Sequence, residues 1–176
     1  MKLSTSSNIV FDRPDGSAVS MERMMRYAKE AGFDTLDISF YDWSLPGSPF
    51  LEDGWRAWID QVAEEKERLG MKFGQCHAYT YNFLDPSLTA EERGRHEELV
   101  LRSIECCYIV GSRLCVTHPD TDYNASRLMA VSEEKNAAYF PQLLEKTASF
   151  EMSLAVENMC DITIAPRRKY GAYPEE

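Results

Sequence analysis

Four ionisable side chains, Asp37, His77, His118 and Glu157, follow one another at separations of 40, 41 and 39 residues. Carboxylates and imidazoles move protons near neutral pH and also bind divalent cations. Each of the four lies in or just after a short apolar run: Thr-Leu-Asp-Ile-Ser-Phe, Lys-Phe-Gly-Gln-Cys-His, Leu-Cys-Val-Thr-His-Pro and Leu-Ala-Val-Glu-Asn. One helical segment and a short loop separate each run from the next, which is the rhythm of a repeated βα unit. In βα folds the loops that carry chemistry follow the C-terminal ends of the strands. Groups repeated at those ends reach one mouth, so the spacing is the strongest functional signal in the chain.

The elements that position these groups can be read locally. The first strand is expected within residues 3–11, followed by a turn cluster at 12–16. Ser20 is placed to cap a helix whose apolar side is Met21, Met24, Met25, Ala28 and Ala31, with Gly32 as its stop. Leu36, Ile38 and Phe40 then alternate with Asp37 and Ser39, the period of a strand with two different faces. A second helix is expected over 53–69, with Trp55, Trp58, Ile59 and Val62 on its packing side and Gly70 ending it. A strand over 71–77 follows. Thr-Ala-Glu-Glu at 89–92 is a capping box, so a third helix begins there and presents Val100, Ile104, Cys107 and Tyr108 at helical spacing. After a strand over 114–118, Ser132 is placed to cap a fourth helix, within which Pro141 predicts a kink or a break into two. The strand over 153–156 delivers Glu157 and Asn158.

The order βαβαβαβαβ predicts a parallel sheet with right-handed crossovers. A closed (β/α)8 barrel takes about 250 residues, whereas this chain has 176. Units of about 40 residues therefore predict an α/β fold of five parallel strands and four helices: a partial TIM barrel, read as one incomplete domain over 1–176. A five-stranded flavodoxin-like sheet has the same element count. Against it stand the lack of a Gly-rich phosphate loop after the first strand, the lack of a fifth helical period, and the recurrence of ionisable groups at successive strand ends. A propeller is excluded by the helical segments between the strands.

Composition is that of a globular chain, 44% hydrophobic and 27% charged, with a formal net charge of −10. That charge works against contact with a phosphate backbone, so nucleic acid is not an expected partner. Five cysteines, an odd count with no Cys-x-x-Cys pair, predict free thiols. Neither a signal-type apolar region nor a membrane span is present in the sequence, and the reading is a reduced, cytoplasmic protein.

The segments Ala-Gly-Phe-Asp-Thr-Leu-Asp-Ile, Gln-Cys-His-Ala, Val-Thr-His-Pro and Ala-Val-Glu-Asn-Met resemble the second to fifth strand regions of the sugar phosphate isomerase/epimerase superfamily. These are the xylose isomerase-like TIM barrels, which also include endonuclease IV. The resemblance implies that Glu157 is a divalent-metal ligand (Mn²⁺, Mg²⁺ or Co²⁺) and moves a proton at the carbon next to a carbonyl. It implies that His77 and His118 line the mouth, as substrate contacts or, in the endonuclease branch, as metal ligands. Asp37 and Asn158 are the remaining candidates for contact with a sugar or sugar phosphate. Simpler roles compete: a Glu157 neutralised by Arg167 or Arg168, packing histidines, and an Asp37 held by internal hydrogen bonds. The family draws further ligands, an Asp, a His and a second Glu, from sixth to eighth strand regions that have no counterpart here. Three readings follow: a metal-dependent sugar isomerase or epimerase lacking part of its barrel, a non-catalytic half-barrel or assembly module, and a metal-dependent phosphodiesterase of the endonuclease IV type. The third fits poorly, because it wants more histidines than His77, His96 and His118, with His96 read as lying on the charged side of its helix. An open half-barrel with bare edges and an uncovered apolar interior also predicts a homo-oligomer.

Overall fold

In the computed structural model, residues 3–8, 19–124, 127–159, 169–173 and 175–176 are described. The turn cluster at 12–16, the far end of the first-strand segment, Cys160, Arg167 and Arg168 lie outside the described residues. The elements run β1 (Ser4–Ser6), α1 (Met21–Glu30), β2 (Thr35–Ser39), a 3-10 turn (Pro49–Leu51), α2 (Trp55–Arg68), β3 (Lys72–His77), α3 (Ala90–Ile109), β4 (Leu114–Thr117), α4 (Leu128–Ser149) and β5 (Ser153–Val156).

All neighbouring strands are parallel and lie in the order β1-β2-β3-β4-β5. This order separates the two folds that share the element count. A flavodoxin-like sheet reverses its winding at a switch point, so its strands are not in chain order. Here each unit adds on the same side of the last, and crossovers of one hand place all four helices over the same face. The fold is an arc of a TIM barrel.

Local chemistry sets the helix ends. The Ser20 side chain accepts from the Arg23 amide, and Met21, Met24, Met25 and Ala28 are buried on one side of α1. Gly32 and Gly70 close α1 and α2 at φ +91° and +62°, the left-handed region that disfavours a side chain. Thr89 and Glu92 form the reciprocal capping box at α3. The fourth helix differs from expectation. It starts at Leu128, with Ser132 buried inside it, where the Ser132 hydroxyl accepts from the Asp122 amide and holds the β4–α4 loop. Nor does Pro141 divide it, since α4 continues to Ser149 with Leu143 and Thr147 buried beyond the proline. One missing backbone hydrogen bond is outweighed by packing on both sides.

The sheet has two unlike faces. Leu36, Ile38, Phe73, Cys76 and Cys115 face the helices and are buried in the core with Met21, Ile59, Val62 and Ile104. The pairing of β2 with β3 slips once: Leu36 lies beside Phe73 and Asp37 beside Gln75, which leaves Gly74 unpaired in a bulge. The bulge shifts the alternation by one residue, so Phe73 and Cys76 are both buried while Gln75 and His77 stay half-buried with Asp37. The open face is therefore polar at its base, where Ser4, Ser6, Thr35, Asp37, Gly74 and Gln75 line a shallow groove. Over β1 to β3 this departs from the expectation of an uncovered apolar interior. Hydroxyl, carboxylate and amide groups tolerate water, so one of the two grounds for expecting self-association, exposed interior apolar surface, does not hold for this part of the face. The bare edges are the other.

On the helix side, Glu65 of α2 is gripped by Arg68 at 2.6 Å and by Arg26 of α1 at 2.6 Å. Those two hydrogen bonds hold its carboxyl at about 2, below the ordinary 4.5. A carboxylate with a depressed native pKa stabilises the fold above its unfolded pKa, and that contribution fades as pH falls from about 4.5 toward 2. Both arginines are half-exposed, so solvent screening limits the contribution to on the order of 1 kcal/mol. Glu65→Gln is expected to lower stability by that amount at pH 7, with the gap closing below pH 4.5. Urea unfolding of both proteins across this range checks it; a gap that is the same at pH 7 and pH 3 would contradict the assignment.

Candidate metal centre

The strands deliver His77, His118 and Glu157 to one point. His77 is the last residue of β3, His118 follows β4, and Glu157 follows β5. Backbone hydrogen bonds continue the ladder past the strand ends and fix these positions: Phe40 N to His77 O at 3.0 Å, Ala78 N to Val116 O at 2.8 Å and Glu157 N to Thr117 O at 2.8 Å. Because parallel strands in sequential order end at similar heights, residues about 40 apart in sequence become neighbours.

His77 is held from both sides. Its Nδ1 lies 3.1 Å from Asp37 Oδ1, and its Nε2 lies 3.0 Å from Glu157 Oε2. The His118 Nε2 lies 3.7 Å from the same Glu157 oxygen, and the two imidazole rings stack at 5.7 Å. The ligand atoms of His77, His118 and Glu157 all fall within 4.8 Å of one another. Asp37 stands behind His77 and is itself fixed by Gln75, whose Nε2 donates to Asp37 Oδ2 at 2.9 Å.

The two imidazoles are electrostatically different. The hydrogen bond to Asp37, reinforced by Glu157 and opposed by burial, raises His77 to about 9. Burial lowers His118, with Glu157 opposing. The metal-free cluster thus favours the protonated form of His77 and the neutral form of His118. Two imidazole nitrogens and a carboxylate oxygen are a donor set that suits Mn²⁺, Co²⁺ or Zn²⁺ better than Mg²⁺, which prefers oxygen and water. A carboxylate behind a ligating histidine is the usual outer support of such sites. The residues present therefore fit a divalent cation, which His77 Nε2, His118 Nε2 and Glu157 Oε2 would hold.

The other expected residues divide. Asp37 joins the cluster through its hydrogen bond to His77. Asn158 is exposed and makes no side-chain hydrogen bond to the cluster among the described residues. His96 is not on a solvated face. It stacks on Tyr81 at 4.6 Å and accepts or donates at 2.7 Å with the Tyr79 hydroxyl, which pins the β3–α3 loop to α3. Glu97 accepts from the hydroxyls of Tyr81 and Tyr139 on the same wall. Sequence reasoning missed Gln75 and Asp120. The latter lines a small cavity beside His118 with Tyr79, Phe83 and Tyr139, and burial pushes its carboxyl up to about 7. Its position two residues after His118 was the available signal. The buried cysteines Cys76, Cys106, Cys107 and Cys115 are free thiols on the helix side.

No model of a known protein family matches the chain, and no curated protein matches it. Solved structures do. A D-tagatose 3-epimerase-like protein superposes with a TM-score of 0.71 at 21% identity, covering 99% of this chain and 58% of its own. The 3-keto-D-glucoside 4-epimerase from E. coli gives 0.65 at 16% identity, covering 96% and 58%. A xylose isomerase domain protein from Alicyclobacillus acidocaldarius gives 0.64 at 14% identity, covering 96% and 54%. These likenesses define the fold as that of the xylose isomerase-like TIM barrels. The chain spans a little over half the length of the structures it matches.

Proposed function

We propose that this chain carries the metal-binding half of a sugar epimerase or isomerase site, with His77, His118 and Glu157 as ligands and Glu157 as the base. The observation that supports this reading is the convergence of two imidazoles and a carboxylate at the strand ends of a barrel arc. Structures of that fold include proteins described as D-tagatose 3-epimerase-like and as D-psicose 3-epimerase in the presence of D-fructose. The substrate class is accordingly a small keto sugar, and the reaction is proton transfer at a carbon next to a carbonyl.

A divalent cation held by His77, His118 and Glu157 would polarise the carbonyl and the neighbouring hydroxyl of the sugar. Glu157 takes the proton from the adjacent carbon onto a carboxylate oxygen, and the C–H electron pair moves toward the carbonyl oxygen to form an enediolate. Asp37 keeps His77 turned toward the cluster, and the wall of Tyr79, Tyr81 and Phe83 limits water around His118. Inversion requires a second acid on the opposite face of the sugar, and none of the three proposed ligands supplies one. Proton removal and return by Glu157 alone gives exchange without epimerisation.

Deuterium exchange tests this directly. With Mn²⁺ in D₂O, the chain is expected to wash deuterium into the carbon next to the carbonyl of D-fructose or D-tagatose without appreciable conversion to the epimer, and Glu157→Gln is expected to abolish the exchange. Exchange no faster than with free Mn²⁺ would overturn the assignment of Glu157 as base. The two-imidazole donor set also suits a phosphodiesterase, but a net charge of −10 disfavours a polyanionic substrate.

A further inference from the structure

We infer that Gln75, turned onto the open face by the bulge at Gly74, is a positioning residue for the metal centre. The inference rests on the metal reading above. Strand residues alternate between faces, so a one-residue slip reverses every side chain beyond it. Without the unpaired Gly74, the alternation that buries Phe73 would also point Gln75 and His77 toward the helices and bring Cys76 to the open face. The bulge reverses that phase and sets Gln75 beside Asp37 and His77 beside Ser39. Glycine suits the bulge because a Cβ at Gly74 would meet Thr35 Cγ2 at 3.0 Å, pressing on the strand that bears Asp37.

The consequence is a three-residue chain of contacts. Gln75 Nε2 donates to Asp37 Oδ2 at 2.9 Å, while the other carboxylate oxygen faces His77 Nδ1 at 3.1 Å. With one partner on each oxygen, the carboxylate plane is fixed rather than free to turn about its soft terminal torsion. Asp37 then commits Nδ1 of His77, and Nε2 is left facing Glu157. Gln75 has no packing task that explains it, since its groove neighbours are Ser4, Ser6 and Thr35 on a half-open face.

The test combines Mn²⁺ titration with NMR of the metal-free chain. Gln75→Met keeps the length and removes the donor; it is expected to weaken Mn²⁺ binding by about tenfold, the lower end of what outer-shell partners contribute. In an Asp37→Ala background the same change is expected to do nothing further, because the acceptor that Gln75 bonds is already gone. Parental affinity in Gln75→Met, or an equal loss in both backgrounds, would overturn the inference. If Gln75→Met unfolds, Gln75→Glu decides: a second carboxylate against Asp37 is expected to weaken Mn²⁺ at least as much, and parental affinity there overturns it. In the metal-free protein the His77 Nδ1–H is expected to exchange slowly with solvent, and several-fold faster in the Gln75 variant. A parent that binds no Mn²⁺ removes the metal reading, while equal exchange rates remove this one.

Discussion

Glu157→Gln is expected to weaken Mn²⁺ binding by roughly a hundredfold, about 2.7 kcal/mol. Glu157 is the one anionic member of the ligand group, and its Oε2 is the atom that both histidines face, at 3.0 and 3.7 Å. An amide keeps the shape but gives up the charge, and it can present an N–H₂ to the cation instead of an oxygen. The same change removes one of the two carboxylates that hold the His77 imidazolium, so the metal-free cluster is altered too. Isothermal titration with Mn²⁺ measures the effect; a variant binding as tightly as the parent would show that the cation sits elsewhere.

The second large effect is structural. Phe50 in the 3-10 turn is fully buried, packs on Phe40 at 5.2 Å, and its carbonyl accepts from Arg102 of α3 at 2.8 Å. Truncating it leaves a cavity under the β2–α2 loop, and Phe50→Ala is expected to cost about 3–5 kcal/mol. Phe40 also carries the amide that bonds to His77 O at 3.0 Å, so the damage reaches the strand end that presents the site. Urea unfolding checks the size; a loss under about 1 kcal/mol would mean that the loop repacks around the gap.

The sequence carried the positions of the cluster but not its wiring. Asp37, His77, His118 and Glu157 could be found because each lies in or directly after an apolar run, and a period near 40 forces such residues to one end of a parallel sheet. The capping box at Thr89 and the stops at Gly32 and Gly70 were legible because they depend on neighbours within a few residues. The Gly74 bulge was not. A lone glycine inside a strand often marks a bulge, but whether Gly74 is left unpaired depends on how β3 registers against β2, which Lys-Phe-Gly-Gln-Cys-His does not fix. For the same reason Gln75 and the polar open face went unrecognised. Ser132 misled because a serine before a helical period looks like a cap, whereas here it sits inside the helix and accepts from the Asp122 amide of the preceding loop. His96 misled because its partners, Tyr79 and Tyr81, belong to a loop whose path no local pattern fixes.

The central claim is that one divalent cation binds between His77, His118 and Glu157. Anomalous diffraction from crystals soaked in Mn²⁺ tests it most directly. The account predicts a single strong peak within bonding distance, about 2–2.3 Å, of His77 Nε2, His118 Nε2 and a Glu157 carboxylate oxygen, with Asp37 still on His77 Nδ1. A protein that takes up no Mn²⁺ there, or binds it away from these three atoms while His77 stays bridged between Asp37 and Glu157, would contradict it.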